Sequence, residues 1–413
     1  MMSGPAPLTS DELAIAGEFE DGIQIAADAL HDDDDVLTEP DLTDEVVDVQ
    51  VPLRDNEKLA TLDGHKAQIL SLVSRLKLGT DLTKVTLPVY VLQSRSLLEC
   101  LSDHFANSPL LLAVTDQDTP ELRMMQFVKW YLTSITTGCH AGLARKPYNP
   151  ILGEIFRCGW TENRNKPSET LRFLAEQVSH HPPISCVYAC CADKGVHLSA
   201  YLQPNVKFMG MSMSATLTGE GRLLIGTKTT HGAEEYRFTY PQAYGRSMVS
   251  TPWFELAGKC TVTCTPSGCQ TTITFHPKPF YGGKLNRVSA EMRDSNGQVF
   301  ATVSGDWTGT LSFHLVAQDT TTAIEVQHAN AGVHRLIRPV DKQNKRESRK
   351  LWHAVTSCLR DQGDMQSACT HRARLLQLQR RKIEQAADYE TLYFHKTANT
   401  EKWMADAFPN VFE

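Results

Sequence analysis

Nowhere do the 413 residues contain the roughly 20 consecutive apolar positions that a membrane-spanning helix requires. The N-terminus lacks the basic-then-apolar order of a secretory leader. The eleven cysteines include no Cys-x-x-Cys pair, which points to free thiols in a reducing compartment. A recognition helix, zinc-finger spacing and RRM-like aromatic strands are also missing, so nucleic acid has no evident reader. Basic residues are almost absent from positions 1 to 57, where Arg54 stands alone against 17 acids. That stretch carries −16. The whole chain carries −7, so residues 58–413 carry +9. A basic body suits an anionic partner such as a charged leaflet or a lipid phosphate. Hydrophobic residues at 41 % and charged residues at 22 % fit a soluble globular protein, expected to be cytoplasmic.

Residues 1–57 read as an acidic disordered arm, with the run Asp32 to Asp35 and no apolar periodicity. From Leu59 the pattern changes. Ile69, Leu70, Leu72, Val73 and Leu76 recur at helical spacing between His65 and Lys77, and Gly79 follows as a stop. A second helix starts near Ser96. A third spans Pro120 to about Thr137, with proline at its start and Gly138 past its end. Between Ile151 and Val326, short runs rich in Val, Ile, Thr and aromatics alternate with turn residues and no helix intervenes. The runs include 171–178, 184–191, 196–202, 235–240, 259–265, 270–276, 287–293 and 310–316. Such spacing predicts an antiparallel sandwich or barrel, whose closure hides strand edges and can enclose a ligand. Helical character returns over 342–396. The fold class is therefore α+β: a large antiparallel β-body, sandwich or barrel, with an N-terminal helical layer and C-terminal helices.

Glu176 to Ser185 reads EQVSHHPPIS. His180 and His181 abut Pro182 and Pro183, whose fixed φ blocks ladder pairing, so the imidazoles should sit where a strand ends. Each imidazole offers an N–H donor. Upstream, Lys146 to Glu154 reads KPYNPILGE, adding a cation at Lys146 and an amide at Asn149 between two prolines. Several converging donors with at least one cation suit a phosphomonoester. A turn whose histidines are satisfied locally is the structural alternative. Metal binding is a third reading, although no carboxylate or cysteine stands at a familiar ligand spacing.

These two segments resemble the fingerprints of the oxysterol-binding protein family. Lys207–Gly210 (KFMG), Lys278–Lys284 (KPFYGGK), Gly305–Gly309 (GDWTG) and Thr80–Pro88 (TDLTKVTLP) are similar to further family landmarks in the expected order. The resemblance covers roughly residues 58–413. It implies a lid at about 65–88, helices at about 92–141, a large, nearly closed antiparallel β-barrel at about 146–330 and C-terminal helices at about 340–413. It also implies a lipid tunnel and a head-group site for phosphatidylinositol 4-phosphate at the barrel mouth, built from Lys146, Asn149, His180 and His181. A C-terminal helix in the family presents Lys, Glu and Arg at i, i+4 and i+8, on one face, toward the same head group. Aligned on Gln379-Arg380, those positions become Arg372, Leu376 and Arg380, so Leu376 replaces the acid. Arg374, Arg381 and Lys382 lie close by. A solvated basic helix facing a membrane is the alternative for this stretch.

The implied lid would meet the lipid tail through Ile69, Leu72, Val73, Leu76, Leu82 and Val85. Its lack of aromatic anchors leaves sterol and phospholipid both open as the second cargo. Glu18–Gly22 (EFEDG) loosely resembles the FFAT motif, by which lipid-transfer proteins dock on an endoplasmic-reticulum receptor. The expectation is a peripheral lipid-transfer protein that exchanges two lipids between membranes, with no cofactor and no enzymatic activity. A lipid sensor without transfer is the alternative. A hydrolase would have to rest on Cys139-His140, a neighbouring pair with no oxyanion hole in view. Cys260, Cys264 and Cys269 read as packed thiols.

Overall fold

A computed structural model describes residues 44–48, 74, 76–83, 85, 88–89, 92–139, 146–163, 169–210, 212–226, 233–246, 253–279, 281–385, 391–396 and 403–404. Strand β1 is Val46–Val47, β2 is Leu92–Ser96, and three helices follow: α1 (Leu97–Ser102), α2 (Ser108–Leu112) and α3 (Pro120–Cys139). After β3 (Lys146–Tyr148) the barrel strands run in succession. They are β4 (Ile155–Thr161), β5 (Leu171–His180), β6 (Pro183–Cys191), β7 (Val196–Phe208), β8 (Met213–Gly226) and β9 (Ala233–Phe238). Next come β10 (Gln242–Arg246), β11 (Trp253–Cys264), β12 (Gln270–His276), β13 (Arg287–Arg293), β14 (Val299–Asp306), β15 (Thr310–Leu315), β16 (Thr320–Glu325) and β17 (His334–Ile337). The C-terminal part holds α4 (Ser348–Leu351), α5 (His353–Ser357), α6 (Met365–Gln385), β18 (His395–Lys396) and β19 (Trp403–Met404).

Fifteen strands form one antiparallel sheet in the order β1-β17-β4-β5-β6-β7-β8-β10-β11-β12-β13-β14-β15-β16, with β9 pairing both β8 and β11. The sheet curls into a nearly closed barrel whose edge strands β1 and β16 are not paired with each other. Alternation along β5 explains the two cores. Leu171, Phe173 and Ala175 face the main cluster, in which α3 buries Met124, Phe127, Val128, Leu132 and Ile135. Leu174 and Val178 face the other way and pack with Cys186, Tyr188 and Phe394. A buried ion pair ties α3 to the wall: Arg123 Nη2 lies 2.7 Å from Glu234 Oε1, and Tyr236 donates to the same carboxylate at 2.7 Å. No helix among the described residues is long and apolar enough to cross a membrane.

Three sequence expectations are corrected. Lys146–Tyr148 does not open the barrel; it pairs in parallel with β2 in a separate two-stranded sheet. The C-terminal block is not helical to Lys396: Glu176 accepts the Leu392 and Tyr393 amides at 2.8 and 2.9 Å, and the chain bends there before β18. The acidic arm is not structureless throughout: β1 lies along β17. The long strand β8 lies within the expected β-region and carries glycines at 219 and 221. Gly221 lies against the Phe238 ring, where an added Cβ would come within 2.0 Å of a ring carbon. Most of the expected helix at 65–77 lies outside the described residues, as does Glu18–Gly22. The Cys139 side chain is not among those described either. Cys260, Cys264 and Cys269 are buried free thiols.

Candidate functional site

His180 ends β5 and Pro183 begins β6, facing it in the hairpin register, so the prolines do stop the ladder at the histidine pair. The two imidazoles stand 4.3 Å apart, and the His181–Pro182 peptide is cis. His181 is exposed while His180 is half-buried. The Gln379 amide on α6 donates to His180 Nδ1 at 2.6 Å, which leaves the ring proton on Nε2. Burial, and secondarily the neighbouring His181, push the His180 pKa down to about 4, so it is a neutral donor at pH 7.

Seven residues before Gln379, two helical turns along the same face, stands Arg372. It faces Lys146, whose pKa falls to about 8, first through burial and then through the Arg372 charge, with Asp81 acting in opposition. Burial also lowers the Arg372 pKa. The Arg372 charge thus disfavours the proton on Lys146, and both side chains are half-buried. Tyr148, two residues beyond Lys146, stacks on Trp352 with ring centroids 4.5 Å apart, which fixes the base of β3 against α5.

The scaffold beneath the site explains the acid that closes the KPYNPILGE segment. Glu154 is fully buried and gathers four donors: Ser96, Ser348 at 2.6 Å, the Ile151 amide at 2.9 Å and the Trp352 indole at 2.9 Å. It joins β2, the turn before β4 and the C-terminal helices at one point. Burial raises its pKa despite these donors. Residues 79–82 cross the end of β7, with the Gly79 amide on Phe208 O at 2.8 Å and the Leu82 amide on Val206 O at 2.7 Å. This crossing brings Asp81 to the cationic pair; Thr83 hydrogen-bonds its carboxylate at 2.6 Å.

The structure thus joins Lys146 with Arg372, and His180 with His181. Asn149 and Arg380 are exposed near these groups in sequence, and Leu376 is half-buried. Of the six expected lid positions, Leu82 is buried, Leu76 and Val85 are half-buried, and Ile69, Leu72 and Val73 lie outside the described residues. Sequence reasoning missed Gln379 and Asp81. Gln379 stood in view as half of the pair used for alignment, and Asp81 as part of TDLTKVTLP. About 10 Å of helix separates Arg372 from Gln379. Among the described residues, no three His, Cys, Asp or Glu side chains gather to hold a metal.

The oxysterol-binding protein family model matches residues 71–359. The chain belongs to the oxysterol-binding protein family. It is 41 % identical over 376 residues to human oxysterol-binding protein-related protein 10, covering 83 % of this chain and 48 % of that protein. To mouse oxysterol-binding protein-related protein 9 it is 38 % identical over 372 residues, covering 85 % and 50 %. The chain spans about half the length of these curated relatives. Solved structures share the fold. The Osh1 ORD domain in complex with cholesterol superposes with a TM-score of 0.66 at 18 % identity, covering 84 % of this chain and 95 % of that one. The Saccharomyces cerevisiae Osh3 ORD in complex with PI(4)P gives 0.62 at 21 %, covering 82 % and 88 %. The family match ends at Leu359, so α6, with Arg372 and Gln379, lies beyond the matched span.

Proposed function

We propose that this protein extracts phosphatidylinositol 4-phosphate from one membrane and a second lipid, a sterol or a phospholipid, from another, and exchanges them. The observation that carries this reading is the convergence of Lys146 and His180, distant in sequence, on one face of α6 through Arg372 and Gln379. A converging set of two cations and imidazole donors suits a phosphomonoester. Relatives of the same fold were solved with cholesterol and with PI(4)P, which supports a shared chamber for the two cargoes. The barrel holds one occupant at a time, so net transfer follows mass action between the two lipids. Residues 65–88, with Ile69, Leu72, Val73, Leu76, Leu82 and Val85, would serve as the lid that gates exchange. Asn149 and Arg380 would complete the head-group contacts. The protein then works as a carrier, cytoplasmic and peripheral on anionic membranes, and Glu18–Gly22 offers a route to an endoplasmic-reticulum receptor.

Leu376 keeps a second reading alive, in which one lipid is bound and sensed without exchange. One experiment separates the two. The protein is incubated with vesicles containing sterol, phosphatidylserine and phosphatidylinositol 4-phosphate, recovered, and its lipid identified by native mass spectrometry. Capture of the phosphoinositide, lost in His180→Ala/His181→Ala while the second lipid is retained, supports exchange. Capture of the second lipid alone by the parent protein overturns it and leaves the sensor.

A further inference from the structure

The acidic segment at the sheet edge meets an arginine cluster unrelated to the head-group site. Arg95, Arg335 and Arg349 share Glu99 and Asp103, three cations over two anions. Arg95 binds Asp103 bidentately at 2.8 and 2.9 Å, Arg335 reaches Asp103 at 3.2 Å, and Arg349 reaches Glu99 at 2.7 Å. The Arg335 side chain is only 2 % exposed, so the missing negative charge has to come from a carboxylate rather than from water. Asp48 supplies it. Arg349 grips both its oxygens at 2.9 and 2.8 Å, and Arg335 Nε lies 2.8 Å away. The backbone takes part as well: Val46 and Val47 face Ile337 and Leu336, and the Asp48 amide donates to Arg335 O at 2.8 Å. Three residues before Asp48, Glu45 pairs with Arg172 on β5.

This strand is nonetheless only two residues long, and Val46 is 50 % exposed. Little apolar burial holds it, so carboxylates and a short ladder do most of the holding. We propose that the β17 edge, with Arg172, Arg335 and Arg349, is a docking groove for an extended acidic segment, and that residues 44–48 occupy it as a separable latch rather than as a wall of the barrel. The latch tethers residues 1–43, with their twelve acids and no lysine or arginine, to the basic body. The groove reads carboxylates three residues apart around two small apolar residues, in an extended backbone.

The test uses the full chain and needs no lipid, so it stands apart from the exchange reading. Hydrogen exchange on the parent protein should show the Asp48 amide slowed at least about tenfold relative to an unstructured peptide; exchange at the unstructured rate overturns the proposal. A Glu45→Lys/Asp48→Lys variant should release the segment and open the groove. A fluorescein-labelled peptide of residues 41–52 should then bind this variant at least about tenfold more tightly than the parent, whose groove is filled. The same peptide with both carboxylates amidated should not bind. Equal binding of the two peptides, or no binding by a folded variant, overturns the proposal. If the variant does not fold by circular dichroism, the exchange measurement on the parent decides.

Discussion

Lys146 gives the site a pH signature that can be worked out in advance. In the free protein its pKa lies at about 8, depressed by burial and by Arg372. A bound phosphate adds negative charge beside it and raises that value. Below pH 8 the lysine already carries its proton, so binding takes none up and affinity is flat on its account. Above pH 8 binding must draw a proton from solution, and affinity falls about tenfold per unit until the bound-state pKa is reached. From pH 7 to pH 9 the loss is about tenfold, or about 1.4 kcal/mol. On the acid side the phosphate loses its second charge near pH ~6, which also weakens binding. His180, with a pKa of about 4, stays neutral across this range in the free protein. Titrating a short-chain phosphatidylinositol 4-phosphate by calorimetry from pH 6 to 9.5 should therefore give an optimum near neutrality. Lys146→Arg should flatten the alkaline limb, because arginine does not deprotonate there. A parent affinity unchanged between pH 7 and 9, or an alkaline limb that persists in Lys146→Arg, would refute the assignment of Lys146 to the phosphate.

Three further outcomes follow from the scaffold. Glu154→Ala strands four buried donors and should lower the urea-unfolding free energy by about 3–5 kcal/mol; a loss below about 1 kcal/mol would show that water satisfies them. Arg123→Met leaves Glu234 as a lone buried charge and should cost about 3–5 kcal/mol, whereas Arg123→Met/Glu234→Leu should return to within about 1 kcal/mol of the parent. Additive losses in that pair would mean that the two side chains act independently and that neither the pair nor the orphaned charge accounts for the cost. Gly221→Ala drives a methyl into the Phe238 ring and should lose about 1–3 kcal/mol in thermal melts, most of it regained with Phe238→Leu.

Much of this was legible in the residues. The short runs between turns in the middle of the chain announced the β-body, and Pro182-Pro183 announced that β5 stops at His180. Lys146 and Arg372 could be set in one site only through the family resemblance, because no local rule brings β3 to α6. The role of Gln379 was hidden for a related reason: an amide becomes a histidine partner only once the helix is docked. The Asp48 latch was hidden by composition. In a run of acids one carboxylate looks like the next, and only three arginines from distant segments single it out.

The strand that ends in the histidine pair is held at both of its working points by chain from beyond the family-matched span. Glu176 grips the Leu392 and Tyr393 amides midway along β5, and His180 at its tip is met by Gln379. The signature segment is therefore half of a clasp whose other half is written in the C-terminal sixty residues. Were the chain to stop at Leu359, the barrel would keep its histidines but lose what aims them, and Lys146 would face no arginine. On the exchange reading proposed above, lipid choice would be retuned through α6, at positions such as Leu376, while the signature stays untouched.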